Sequence, residues 1–202
     1  MMAKYSEGRV VNRSDLQFVE VVQGVFRFLG EDYGFRLAHL DSPTFVRYES
    51  ATTFLNVYHG RKSYEIGVEI GRIADPLGQS YRLPDVLSAL LGQDDRRRFS
   101  FQASDPNGVR RCVHAVAELV ARHCGSLLKG DDEAFGRVAA QRAEATRVLT
   151  KDVVQRSVRE AAEKAWHAKD YAKVRELYDS ICDGLSPVER KRLEYAENHD
   201  RG

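Results

Sequence analysis

The chain is short of the features that mark most recognisable functional classes. It has three cysteines, Cys112, Cys124 and Cys182, an odd number at irregular spacing, and the first two fall inside a helical pattern. That argues against a disulfide framework and fits a reducing compartment. Neither a CxxC pair nor a Cys/His cluster occurs, so no zinc or other metal site is expected. No stretch approaches the roughly 18 apolar residues of a membrane span. The opening MMAKYSEGRVVNRSD lacks the apolar run of a signal peptide. The expectation is a cytoplasmic protein that stays off the membrane.

An excess of charge of either sign is also missing. The net charge is +1. Residues 1–104 carry 13 Lys/Arg and 13 Asp/Glu, and residues 105–202 carry 18 and 17. Neither half is a basic domain, and phosphate neutralisation needs a positive patch. Nucleic acid is therefore not an expected partner. The phosphate-cradle patterns GxGxxG and GxxxxGK[ST] are absent, as is the nucleophile elbow GxSxG. The glycines at 60, 67 and 71 do not follow a cradle order, which disfavours the common nucleotide enzymes, and no cofactor is implied.

What is present is an ordinary globular balance, with 43% hydrophobic and 30% charged residues over 202 positions. Residues 1–13 are polar and are expected to be loose. Ser14 or Asp15 can cap a helix running to Gly34, with Leu16, Val19, Val22, Phe26 and Leu29 as its apolar stripe. Four strand-like runs follow: Phe35–Leu40, Phe45–Ser50, Thr53–His59 and Ser63–Ile70. Their short links allow only antiparallel neighbours, hence a meander. Val46, Tyr48, Leu55, Val57, Ile66, Val68 and Ile70 should share one face, covered by the N-terminal helix. Gly67 falls on the other face, where it marks a bulge or a close approach to the backbone.

Leu83-Pro84-Asp85 starts a short helix that Gly92 ends. Asp94–Arg98 reads as a solvated turn, and Phe99–Gln102 as a fifth strand. From Ser104 the period becomes helical, with Ser104 or Asp105 as cap and Val109, Cys112, Val113, Val116, Leu119, Val120 and Cys124 as the stripe. Asp131-Asp132-Glu133 opens a helix that is expected to end at Leu149. Another starts near Thr150 and runs to about Lys169, and the last starts at Ser186-Pro187-Val188-Glu189. The fold class expected is α+β. An antiparallel four- to five-stranded meander covered by helices occupies 1–149, and an all-helical extension occupies 150–202.

Three signals bear on function. The polar face of the meander gathers Arg47, Glu49, Asn56, Tyr58, Glu65 and Glu69 from three strands. Such a cluster can dock a basic protein partner, form a cross-strand ion ladder, or do acid–base work if its pKa values are driven apart. Glu65 and Glu69 stand roughly 13 Å apart along one strand, too far for a glycosidase pair. Next, Val158, Ala161, Ala162, Ala165, Asp170, Tyr171, Val174, Tyr178 and Ile181 resemble a single tetratricopeptide unit. A plain hairpin using small residues for close packing is the ordinary account of them, since only one unit is visible and a solenoid needs about three. Last, the histidines at 39, 59, 114, 123, 167 and 199 are scattered. His59, at a strand end, is the one best placed for catalysis.

The stretch FVRYESATTFLNVYHGRKSYEIGVEIGRI resembles the sheet segment of uncharacterised bacterial proteins of a domain-of-unknown-function type, in its YES, NVY and SYEIGVEIG elements over residues 45–73. Some small proteins of this kind are similar to immunity proteins, which neutralise a toxin by binding it. The resemblance implies a protein partner and no catalytic residues. Three readings follow: a non-enzymatic binding protein using the polar sheet face, an adaptor acting through its C-terminal helices, and an enzyme using the sheet-face carboxylates.

Overall fold

The alternation of apolar and polar residues between Phe45 and Arg72 sets both the sheet and its register. The computed structural model of the chain describes residues 12–92 and 101–199. The opening residues 1–11, the Asp94–Arg98 turn, and Phe99 and Ser100 of the expected fifth strand lie outside the described residues. Strands β1 (Arg36–Ser42), β2 (Phe45–Glu49), β3 (Thr53–His59) and β4 (Glu65–Arg72) pair antiparallel in chain order. Two short strands, β5 (Ser80–Arg82) and β6 (Phe101–Gln102), share the other side of β4. They lie opposite Glu69–Gly71 and Glu65–Ile66 respectively. The fold is α+β, and most of its helices follow the sheet. β5 falls where the sequence reads as loop, because three residues are too few to show a period.

The β3–β4 ladder runs unbroken from Thr53↔Arg72 to His59↔Ile66. Val46, Tyr48, Leu55, Val57, Ile66, Val68 and Ile70 are all buried on one side of the sheet, as the alternation requires. Each such side chain removed from water contributes about 1.5–3 kcal/mol. A slip of one residue would turn the whole set outward, so the register is strongly specified. β1 is less regular, with pairing shifts between Leu37 and His39 and between His39 and Ser42. Such irregularities blunt an edge strand against further pairing.

The N-terminal segment is broken, not one helix. A 3-10 turn, Arg13–Leu16, leads through Gln17 in the left-handed region (φ 54°) to α1 (Phe18–Val25) and then α2 (Phe28–Tyr33). Asn12 is the first cap, its side chain accepting from Ser14 N at 3.2 Å, in place of Ser14 or Asp15. On a straight helix Leu16 and Phe18 would stand about 200° apart. Both are 1% exposed here, and the break makes that possible. The apolar side of the sheet is covered by α1 together with α3 (Leu83–Leu91), α4 (Pro106–His123) and α5 (Gly125–Leu128). The cover is thus shared and not the work of the N-terminal helix alone. Asp105 caps α4, accepting from Gly108 N at 2.9 Å.

From Asp132 one helix, α6, runs 36 residues to His167. The sequence places a boundary at Leu149–Thr150 instead. Thr150-Lys151-Asp152 has cap chemistry, but neither glycine nor proline occurs between Arg137 and His167, so nothing opposes propagation of the helix. The chain divides within α6 into two units, Met1–Arg142 and Ala143–Gly202. In the second unit the C-terminal part of α6, α7 (Tyr171–Asp179) and α8 (Pro187–His199) bury Ala162, Ala165, Val174, Tyr178, Ile181 and Ala196 together. Asp170 caps α7, accepting from Lys173 N at 3.1 Å. Ser186 and Glu189 cap α8 reciprocally, with bonds of 3.3 and 2.7 Å. Between Val138 and Ala162 no side chain of α6 is buried, and Val148, Leu149, Val153 and Val154 are exposed.

On the outer face of the sheet, two glycines of β4 carry aromatic rings from β3. Tyr58 is paired with Gly67 and Phe54 with Gly71, and each ring occupies the space a Cβ would take. At Gly71 that Cβ would also stand 2.6 Å from the backbone carbonyl of Gln79. Gly71→Ala is therefore expected to cost about 1–3 kcal/mol by overpacking. Gly67→Ala should cost less, because only the movable end of Tyr58 opposes it. Urea denaturation of the two variants checks the order.

Candidate partner-binding face of the sheet

β-Pairing brings the six predicted residues onto one face in three rows. The first row is Phe45, Tyr58 and Gly67; the second is Arg47, Asn56, Glu69 and Arg82; the third is Glu49, Phe54, Gly71 and Ser80. Glu65 stands at the start of β4, opposite Gln102 of β6. All six predicted residues are thus on one face, in two groups. Arg47, Glu49 and Asn56 form the first. Arg47 Nε donates to Glu49 Oε1 at 2.6 Å and Nη1 donates to Asn56 Oδ1 at 3.3 Å. The same guanidinium lies 3.9 Å from the centroid of the Phe54 ring.

Tyr58, Glu65 and Glu69 form the second group, with Arg82, Ser80 and Asp85. Ser80 Oγ donates to Glu69 Oε2 at 3.3 Å, and Arg82 Nε is 3.8 Å from Glu69 Oε1. Burial, and next the Glu65 carboxylate, hold the Tyr58 hydroxyl above its ordinary pKa. Arg82 pulls the other way, and Glu69 and Asp85 add to the rise. The hydroxyl is therefore a proton donor at any physiological pH.

The outer face is not uniformly solvated. Asn56 is 8% exposed and Phe54 5%, because Arg47 lies over Phe54 and the rings fill the places above Gly67 and Gly71. Phe54, Ser80, Arg82 and Asp85 were not among the predicted residues. Phe54 was recoverable, since it has the same parity as Asn56 on β3. Ser80 and Arg82 were not, because β5 has no readable period.

His59 is not an accessible strand-end residue. It is 2% exposed on the core side of β3. Its Nε2 lies 2.8 Å from the carbonyl oxygen of Ala103, and its ring stacks on Phe18 at 5.5 Å. Arg13 stands 3.2 Å from Nδ1, donates to the carbonyls of Gly60 and Arg61, and lies 3.9 Å over the Tyr64 ring. Arg13, expected in a loose segment, instead clamps the β3–β4 turn. These contacts make His59 a structural residue. Among the thiols, burial pushes Cys124 up to about 12, which removes it as a nucleophile. Among the described residues no group of three His, Cys, Asp or Glu side chains is placed to hold a metal ion. No helix there is long and apolar enough to cross a membrane.

Comparison with protein-family models, with curated proteins and with solved structures gives no match for this chain.

His59 generates a pH prediction. Burial lowers its pKa; the bond to Ala103 opposes this, the Arg13 charge adds to it, and the backbone of Tyr64 opposes it. The folded pKa lies below the unfolded value of about 6.5, so below that pH the unfolded chain binds the proton more readily. The stability linked to His59 is present above pH 6.5 and is lost as the pH falls through the folded value. Unfolding free energies measured by urea at pH 7.5 and 5.0 should differ more for the native chain than for His59→Gln. Equal differences would remove the assignment.

Proposed function

We propose that the chain is a non-enzymatic protein-binding protein, similar in role to bacterial immunity proteins, that holds a protein partner on the outer face of its sheet. One observation carries the reading. The face presents charged and aromatic groups already fixed by cross-strand contacts, so little side-chain entropy is lost on docking. The carboxylates of Glu65, Glu69 and Asp85 surround Tyr58 with Arg82 as the opposing charge, which favours a basic partner surface. The third reading, catalysis by the sheet-face carboxylates, draws less support. Glu65 and Glu69 are separated by Gly67 and its covering Tyr58 ring, and no reacting pair is formed.

Replacing Glu65 and Glu69 with lysine reverses the charge at two positions on this face. The double variant should keep the far-UV circular dichroism spectrum and lose partner capture by at least tenfold in a pull-down from the source cell. Recovery of the same partner in the same yield would end the reading.

A second reading is an adaptor that acts through the C-terminal helices. It is favoured by the aliphatic side chains that α6 leaves exposed, Leu149 at 61% and Val153 at 64% above all, and by the small-residue packing of the tetratricopeptide-like hairpin. Leu149→Glu/Val153→Glu should fold normally, because neither side chain is buried, and should release the chain from any complex it joins. Size-exclusion chromatography showing an unchanged complex would argue against the adaptor role.

A further inference from the structure

The outer face of the sheet contains two aromatic-on-glycine platforms built alike. In one, the Phe54 ring lies above Gly71; in the other, the Tyr58 ring lies above Gly67. The first has a guanidinium on it. Arg47 lies 3.9 Å from the Phe54 centroid, with its Nε held by Glu49 at 2.6 Å. The second has acidic side chains beside it and, at the Glu69 end, Arg82 at 3.8 Å from the carboxylate, but its ring carries no stacked guanidinium among the described residues. Glu65 and Glu69 flank Gly67 on the same face of β4, each about 6.7 Å along the strand from it by strand geometry. Among the described residues no cation of the chain stacks on Tyr58, and none pairs with Glu65. Tyr58 is half-buried and retains solvent contact.

We infer that Tyr58, between Glu65 and Glu69, is the seat for an arginine side chain presented by the partner protein. This rests on the docking reading above and names the chemistry of the docked group. The ring supplies a π face for a cation. The two carboxylates can each accept from the planar fork of a guanidinium. The Tyr58 hydroxyl stays protonated, so it adds no charge of its own. Arginine is favoured over lysine because its flat group can lie on the ring while donating sideways to both carboxylates, as Arg47 does on Phe54 towards Glu49 and Asn56. The two positions differ in what the described residues place on them: the Phe54 ring carries the Arg47 guanidinium, and the Tyr58 ring carries no cation.

The probe is N-acetyl-arginine-N-methylamide at millimolar concentration, titrated into the full ¹⁵N-labelled chain, with the lysine and citrulline analogues as controls. Backbone amide shifts should centre on Tyr58, Glu65, Gly67 and Glu69. The arginine analogue should bind more tightly than the lysine one, and citrulline should give no such pattern. Tyr58→Leu should weaken the arginine analogue about two- to fivefold, the strength of an exposed cation–π contact. Tyr58→Phe should keep most of the affinity, and Glu65→Gln/Glu69→Gln should weaken it without disturbing the ring. Shifts spread over every acidic surface, or equal shifts with citrulline, would overturn the seat, as would an unchanged affinity in both Tyr58→Leu and the double glutamine variant. The two levels separate cleanly. Partner capture that needs Glu65 and Glu69 but tolerates Tyr58→Leu removes the arginine seat and leaves the docking face. Arginine binding at Tyr58 with partner capture indifferent to charge reversal at Glu65 and Glu69 removes the docking face and leaves the seat.

Discussion

The pairing of β3 with β4 is the constraint on which the rest of the sheet unit depends. Seven consecutive pairs, Thr53↔Arg72 to His59↔Ile66, are held without a bulge. That one register turns Leu55, Val57, Ile66, Val68 and Ile70 into the core, where α1, α3, α4 and α5 cover them. The same register sets Tyr58 against Gly67 and Phe54 against Gly71 on the other side. Core burial and the outer platforms are therefore two consequences of one alignment. The core makes the alignment stable, because a slip would expose every apolar side chain at once. The glycines then accept rings that would clash with any other residue.

Further contacts anchor the two ends of this hairpin. At the Thr53 end, Thr53 Oγ1 donates to the carbonyl of Leu128 at 3.1 Å in a buried setting, tying the sheet to α5. At the His59 end, Arg13 and Ala103 meet the imidazole from segments far apart in the chain. β4 also carries β5 opposite Glu69–Gly71 and β6 opposite Glu65–Ile66 along its second side. The proposed binding face lies on the outer side of these central strands, which are paired along both edges over most of their length. A binding face built there is more exact than one built on loops.

Much of this was readable in the order of residues. Two-residue alternation gave the four main strands within two residues of their ends and identified the core-facing set Val46, Tyr48, Leu55, Val57, Ile66, Val68 and Ile70, though not the burial of Phe54 and Asn56 on the other face. It also collected Arg47, Glu49, Asn56, Tyr58, Glu65 and Glu69 on one face. Besides β5 and its Ser80 and Arg82, three things were not readable. The break at Gln17 depends on tertiary demand for both Leu16 and Phe18 in the core. The continuity of α6 through Thr150 pits a cap signal against an uninterrupted run of helix-compatible residues, and local chemistry alone does not rank the two. The burial of His59 depends on Arg13 and Ala103, which lie 46 and 44 residues away.

An antiparallel meander with one apolar and one polar face was determined by the sequence alone, because the strand period is two and each link is too short for a crossover. The sequence also set the helical character of everything after Ser104, through a change of period and well-placed caps. Only the tertiary structure decided what the polar face is. Which residue lies opposite which depends on the pairing register, and register is a property of two segments together. Gly67 read alone marks an absence of side chain. Set opposite Tyr58, it becomes the floor of an aromatic platform with a carboxylate on either side.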